Sequence, residues 1–147
     1  MVEGKILGSP EQNNLMECLQ TGQCTCVVRQ GGEIRMMQDR GVVGLYQLLV
    51  GEPGFLKGAS VADKVVGKAA AALMIIGGVK ELCTPVISRL ACELLERTEI
   101  KVTYLRCVPH IINRTQTDWC PLEIRCAELQ TPEECLEQIE EFIKNVP

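Results

Sequence analysis

Apolar residues recur along the chain with two spacings, one of three to four residues and one of two. The first spacing indicates the buried face of a helix, and the second indicates a strand. Helices are predicted over residues 11–20, 39–50, 60–76, 88–97 and 121–129 and from residue 132 onward, and strands over 24–29, 33–38, 79–84 and 100–108. The predicted order is therefore α-β-β-α-α-β-α-β-α-α.

Turn and cap residues refine this outline. Gly31 and Gly32 separate the first two strands, as expected for the tight turn of a hairpin. Ser60, with Asp63 three residues later, is predicted to cap the helix over 60–76 as a capping-box variant. Later strands alternate with helices, which favours right-handed crossovers and parallel pairing. We therefore expect one α/β domain spanning residues 1–147, with a hairpin beside parallel strands and helices on both faces of a mixed sheet.

Composition narrows the class of protein. The chain has 147 residues, of which 46% are hydrophobic and 23% charged, as in ordinary globular domains. A net charge of −4 argues against a nucleic-acid partner, because such binding needs a basic surface. The first residues lack a basic segment followed by an apolar one, and the longest apolar run, 69–76, is broken by glycines. We expect a cytoplasmic protein without a membrane partner.

Nine cysteines could indicate a disulfide framework, but the number is odd and no export signal is visible. We expect reduced thiols, most of them packed as small apolar side chains. Cys120 differs because it precedes Pro121 at a predicted helix start, where the helix dipole favours a thiolate. Cys83 is predicted to end a parallel strand, at the edge where α/β proteins bind ligands.

Three segments carry a resemblance to a known family: GASVADKVVGKAAA (58–71), LCTPVIS (82–88) and PHIINRTQTDWCPLE (109–123). They closely resemble the bacterial and archaeal family catalogued as domain of unknown function 1893, over the chain from about Leu15 to Phe142. That family is similar in fold to the cytidine deaminase-like superfamily. The resemblance implies a three-layer α/β/α sandwich with a site at the starts of two helices. It implies no particular reaction.

The zinc ligands of deaminases are missing at the corresponding positions. A zinc deaminase has His-Ala-Glu or Cys-Ala-Glu at the start of the helix after the hairpin, and Pro-Cys-x-x-Cys at the next helix. The equivalents here are Val61-Ala62-Asp63 and the stretch after Pro85, and the one histidine, His110, lies in another loop. We therefore predict a zinc-free domain with no metal and no cofactor.

Two features are candidates for ligand binding. The start of the predicted 60–76 helix offers free N–H groups to an anion, and Lys64 and Lys68 would strengthen that site. The run 113–118 is rich in hydrogen-bonding groups and includes Arg114, which can hold an anion with two parallel bonds. The candidate catalytic residues are Asp63 and Cys120, and the candidate ligand-binding residues are Ser60, Lys64, Cys83, Asn113, Arg114, Thr115 and Asp118. The alternative is that the lysines are solvated and the loop satisfies its own backbone.

Three functions remain open at this point, and the sequence leaves undecided whether the protein is an enzyme. The first is a zinc-free deaminase-like domain that binds a small anionic or nucleotide-like molecule between the 60–76 helix start and residues 113–120. The second is a thiol enzyme or redox sensor using Cys120, with Cys83 as a second thiol. The third is a noncatalytic subunit whose fold serves a homodimer, another homo-oligomer or a partner contact.

Overall fold

The computed structural model describes residues 10–21, 24–38, 42–111 and 120–144. These residues form six helices and six strands. The helices are α1 (Pro10–Thr21), α2 (Val43–Gly51), α3 (Lys68–Gly77), α4 (Arg89–Leu95), α5 (Pro121–Cys126) and α6 (Pro132–Lys144). The strands are β1 (Cys26–Gln30), β2 (Glu33–Met37), β3 (Ser60–Asp63), β4 (Val65–Val66), β5 (Glu81–Ser88) and β6 (Lys101–Val108). The predicted α/β class is confirmed.

The described strands form one mixed sheet. The hairpin strand β1 is antiparallel both to β2 and to β3, whereas β3, β4 and β6 all pair with β5 in parallel. Across the sheet the order is β2, β1, β3 and β5, with β6 on the far side of β5. The predicted hairpin beside parallel strands is therefore present, and β5 lies at the centre of the parallel part.

A short break separates β3 from β4. Ser60 lies opposite Glu81 and Val65 lies opposite Val86, so both strands follow β5 in the same register. Pro85 lies opposite the break and has no N–H group to donate to a neighbouring strand. The chain uses this interruption to turn at Asp63, the last residue of β3.

The side chains of each strand point alternately to the two faces of the sheet, and this divides the core into two clusters. Val27, Ala62 and Cys83 pack with α1 on one face of the sheet. Their chain neighbours pack with residues of α2 to α6 in a larger cluster on the other face, because successive strand residues point in opposite directions. Described helices therefore cover both faces, as expected from the sequence.

Helix α3 lies at the centre of the larger cluster and packs against α2, α4, α5 and α6. Its alanines, Leu73 and Met74 are buried around the whole circumference, as a helix surrounded by other helices requires. Gly78 ends it in the left-handed conformation, with φ of 83°.

The predicted helix over 60–76 is wrong in its first two turns. Residues 60–63 form β3, and the helix begins at Lys68, after Gly67 as the N-cap. Val61 and Ala62 are buried on opposite faces of the sheet, and pairing with β1 and β5 outweighs the local helical pattern. Ser60 is therefore not a helix cap, and Lys64 and Lys68 do not share a helix face.

The helix starts predicted near Ser88 and Thr131 agree with the structure better than the one predicted at Ser60. Ser88, the first residue of the helix predicted over 88–97, is the N-cap of α4 and accepts a hydrogen bond from the Ala91 amide at 3.1 Å. Before α6, the Thr131 hydroxyl accepts from the Glu134 amide at 3.2 Å, and Glu134 Oε1 accepts from the Thr131 amide at 3.0 Å. This reciprocal pair is a capping box.

The helices are short. The longest in the described part of the chain, α6, has 13 residues. No described helix combines the length and apolar character needed to cross a membrane.

Candidate functional site

Asp63 is a buried carboxyl group at the carboxyl end of β3, with 6% of its surface exposed. The backbone N–H groups of Lys64 and Val65, at the turn between β3 and β4, lie near its side chain and favour its charged form. Burial is the larger effect and raises the pKa of Asp63 to about 7. The group can therefore change protonation state near neutral pH.

Cys26 is the thiol partner of this carboxyl group. The two residues lie opposite each other in the antiparallel β1–β3 pair, and each side chain affects the pKa of the other. Burial, and then the negative charge of Asp63, raise the pKa of the Cys26 thiol well above its usual value. Cys26 therefore remains a neutral thiol beside Asp63.

The true start of α3 is bound by a carboxylate from another helix. Glu123, in the first turn of α5 and 2% exposed, accepts the Lys68 amide on Oε1 at 2.7 Å. A side chain on Gly67 would meet Glu123 Oε1 at 3.1 Å, so glycine at the N-cap allows this close approach. The Glu123 carboxylate thus accepts an amide at the helix start, where an external anion was expected to bind.

The Lys68 side chain binds the other end of α5. Its Nζ atom donates to the carbonyl oxygens of Ala127 at 3.2 Å and Leu129 at 2.5 Å. A cation is favourable at the C-terminal end of a helix, where carbonyl groups lack partners within the helix. Lys68 and Glu123 therefore fix the start of α3 against both ends of α5.

The same carboxylate holds the loop that follows β6. Glu123 Oε2 accepts the Ile111 amide at 2.8 Å, and the Ile111 carbonyl accepts the Cys120 amide at 2.8 Å. Ile111 therefore lies beside the start of α3, and Cys120 is bonded to Ile111. Four candidate ligand-binding residues, Asn113, Arg114, Thr115 and Asp118, fall outside the described residues, and their roles stay predictions.

Ser60 and Cys83 lie on the opposite face of the sheet from Asp63. Ser60 Oγ donates to Glu81 Oε2 at 2.5 Å, and Cys83 packs with α1. The prediction that Cys83 ends its strand is wrong, because β5 continues to Ser88. Burial, followed by the charge of Glu81, raises the pKa of Cys83 to about 12 and keeps the thiol neutral. The structure therefore does not bring these two residues to the site.

The two remaining candidates, Lys64 and Cys120, lie at the border of the site around Asp63 and Glu123. Lys64 directly follows Asp63 and is exposed, with its amide bonded to the Thr25 carbonyl at 3.0 Å. Cys120 is the N-cap of α5, makes no side-chain capping bond and packs against the larger core cluster. That packing favours a structural role for the Cys120 side chain.

Three residues of this site were missed or given another role from the sequence. Cys26 was expected only to pack, Lys68 was expected to strengthen an anion site from within the 60–76 helix, and Glu123 was assigned no role. The Lys68–Glu123 contact spans 55 residues, so no local pattern could reveal it. The signal available was the motif over 109–123, which ends at Glu123.

The site contains carboxylates and thiols, but they do not form a metal cage. Within the described ranges, no three His, Cys, Asp or Glu side chains converge on a point where they could hold a metal ion. The predicted absence of bound zinc remains to be tested by metal analysis.

Comparison with known proteins assigns the family. The model of the family described as domain of unknown function (DUF1893) matches residues 14–143. The chain belongs to the DUF1893 family. No curated protein matches this DUF1893 chain.

A solved structure agrees with the fold of this DUF1893 domain. The crystal structure of the DUF1893 family protein TM1506 from Thermotoga maritima, at 2.70 Å resolution, is similar with a TM-score of 0.83. The match covers 91% of each chain at 22% sequence identity. It confirms the shared fold of this DUF1893 domain.

Proposed function

We propose that this protein is a zinc-free, deaminase-like domain that binds a small nucleotide-like molecule at the carboxyl ends of its parallel strands. The relation to deaminases is supported by the hairpin followed by parallel strands and by helices on both sheet faces. Helices α3 and α4 also begin just after strands that run parallel to each other. This is the arrangement in which deaminases place their active site at two helix starts.

The observation that carries the proposal is the burial of the Asp63 carboxyl group at the carboxyl end of β3. Ligands of α/β proteins bind beside the carboxyl ends of parallel strands, and Asp63 is the last residue of β3. A neutral carboxyl group presents one donor and one acceptor, which match the ring nitrogen and amino group of a cytosine edge. With a pKa of about 7, Asp63 can offer this pair in neutral solution.

The capped start of α3 changes where an anionic group would bind. A phosphate at the Lys68 amide would have to displace Glu123, which already accepts that amide. We therefore assign the phosphate of the ligand to exposed Lys64, next to Asp63. Arg114 remains the predicted second cation of this site.

Calorimetric titration with cytidine and cytidine 5′-monophosphate tests the proposal. Cytidine has no phosphate, so its pH dependence reports on the base-binding group alone. We expect cytidine affinity to fall by roughly tenfold between about pH 6 and about pH 8 as Asp63 ionises. An Asp63→Asn variant keeps one donor and one acceptor, and its affinity should not vary with pH.

Glu93→Gln is the matched control, because Glu93 is an exposed carboxylate on α4, away from this turn. It should retain the wild-type pH dependence. Lys64→Gln should weaken the nucleotide but not cytidine. Absence of cytidine binding at about pH 6, or an identical pH dependence in Asp63→Asn, would reject the proposed base contact.

A further inference from the structure

Strand β2 forms one edge of the sheet. It pairs with β1, and no strand in the described part of the chain pairs with its other side. The two-residue turn makes its flanking residues, Gln30 and Glu33, a hydrogen-bonded pair. The alternate residues Ile34 and Met36 therefore direct their N–H and C=O groups to the open side. This edge offers backbone donors and acceptors to another strand.

The side chains of these two residues are apolar and exposed. Ile34 is 44% exposed and Met36 58%, and both lie on one face of the sheet because they are two positions apart. Proteins that keep an edge strand unpaired often protect it with lysine, proline or a bulge. Strand β2 contains neither residue and pairs with β1 along its whole length without a bulge. It therefore lacks these protective features.

The charges on β2 favour a second copy of the same strand as its partner. Two identical antiparallel strands are related by a two-fold axis. An axis at Ile34 places each Glu33 opposite the partner's Arg35, and such opposite-charge pairs stabilise a sheet. An axis at Glu33 or at Arg35 instead places two like charges opposite each other. An axis at Met36 places Arg35 opposite the partner's Met37. The edge is therefore complementary in charge to itself when the axis lies at Ile34.

The surroundings of β2 are compatible with this register. Glu33 and Glu52 each bind Arg35 of their own chain at 3.0 Å, so the partner's Arg35 would extend an existing ion-pair network. The partner's Met36 would lie opposite Gly32, where a side-chain carbon would meet no described atom within 4 Å. There is therefore space for the methionine. Exposed ion pairs add little stability, so the charges set the register more than the strength of the contact.

We propose that β2 binds β2 of a second copy of this chain, antiparallel about a two-fold axis at Ile34. The two sheets then form one continuous sheet across a homodimer. The outward N–H and C=O groups of Ile34 and Met36 supply the hydrogen bonds, and the same two side chains lose exposed apolar surface. This contact does not depend on the ligand proposed above.

Sedimentation velocity over a range of protein concentrations tests the edge. The wild type should sediment as a dimer, and Ile34→Lys as a monomer, because the substitution places two like charges at the axis. Leu105→Lys is the matched control, since Leu105 is 45% exposed and lies on β6 at another edge of the sheet. It should remain a dimer. Circular dichroism verifies that each variant is folded.

Exchange of charges tests the register. Glu33→Arg and Arg35→Glu each replace two opposite-charge pairs by two like-charge pairs, and each should weaken self-association by about tenfold. An equimolar mixture of the two variants should form a heterodimer, detected by native mass spectrometry, because opposite charges again face each other. A monomeric wild type, or a dimer that survives Ile34→Lys, would overturn the interface. Failure of the two variants to form a heterodimer would overturn the register.

Discussion

The Lys68 amide donates to Glu123 Oε1 at 2.7 Å, although the two residues are 55 positions apart. In return, the Lys68 ammonium group binds the carbonyl oxygens at the end of the helix that carries Glu123. Helices α3 and α5 thus cap each other. The second Glu123 oxygen binds Ile111, so one buried carboxylate joins the helix start to the loop of the candidate site.

Glu123→Gln should reduce the free energy of unfolding by about 2 kcal/mol. The neutral amide has one acceptor oxygen for two backbone donors, so its NH₂ group would face one of those donors. Urea unfolding measures the change. Glu128→Gln, at an exposed position just after α5, should be nearly neutral. Equal, small effects of both substitutions would contradict the capping role of Glu123.

The region around β3 shows which features of this fold are visible in the sequence. Ser88 and the Thr131–Glu134 capping box were open to prediction from neighbouring residues, because each cap spans three positions. Residues 60–63 were misassigned because all four are buried, so the strand lacks the alternation that marks a half-buried one. Their structure depends on pairing with β1 and β5, which no local window contains.

The residues of the candidate site also fall into those that the sequence could identify and those that it could not. Asp63 was identified from its place in an unusual motif, although its predicted role as a helix cap was wrong. Cys26 and Glu123 reach the site only through a strand pairing and a long-range hydrogen bond. Cys83 was misplaced because its strand was ended four residues too early, at Thr84 rather than Ser88. An error in element boundaries thus became an error in site membership.

Asp63 should make stability depend on pH. Its pKa is raised from 3.8 to about 7 on folding, so between these values the folded state binds more protons than the unfolded state. Stability should therefore fall as pH rises through this window, by up to a few kcal/mol. Asp63→Asn should remove this component. Urea unfolding of the wild type and of Asp63→Asn, measured between these two pH values, tests this expectation. If the stability of both proteins depends on pH in the same way, Asp63 ionises normally.

Ser60→Ala should weaken the fold without affecting cytidine. The substitution removes the hydrogen bond to buried Glu81 and should cost about 1 to 3 kcal/mol. Glu81→Gln retains an acceptor for Ser60 and should cost less. Cytidine affinity of Ser60→Ala, measured by calorimetry, should equal that of the wild type because Ser60 faces α1. A selective loss of cytidine binding would indicate that Ser60 belongs to the ligand site.

The purified protein should carry no stoichiometric zinc and should not deaminate cytidine. The residues at the two helix starts are Lys68-Ala69-Ala70 and Arg89-Leu90-Ala91, which offer neither an imidazole nor a thiolate to zinc. Elemental analysis of protein purified without chelators measures the metal content, and ultraviolet absorbance follows conversion of cytidine to uridine. One tightly bound zinc per chain would overturn this prediction.

The most direct test of the ligand site is an NMR titration of backbone amides with cytidine at about pH 6, where Asp63 is mainly neutral. We predict that the shift changes concentrate at Lys64, Val65, Lys68 and Ile111, whose amides contact Asp63 or Glu123. The same titration of Asp63→Asn at about pH 8 should give the same pattern. Shift changes centred on α1 and the Ser60–Glu81 face, or none at saturating cytidine, would contradict binding at the carboxyl end of β3.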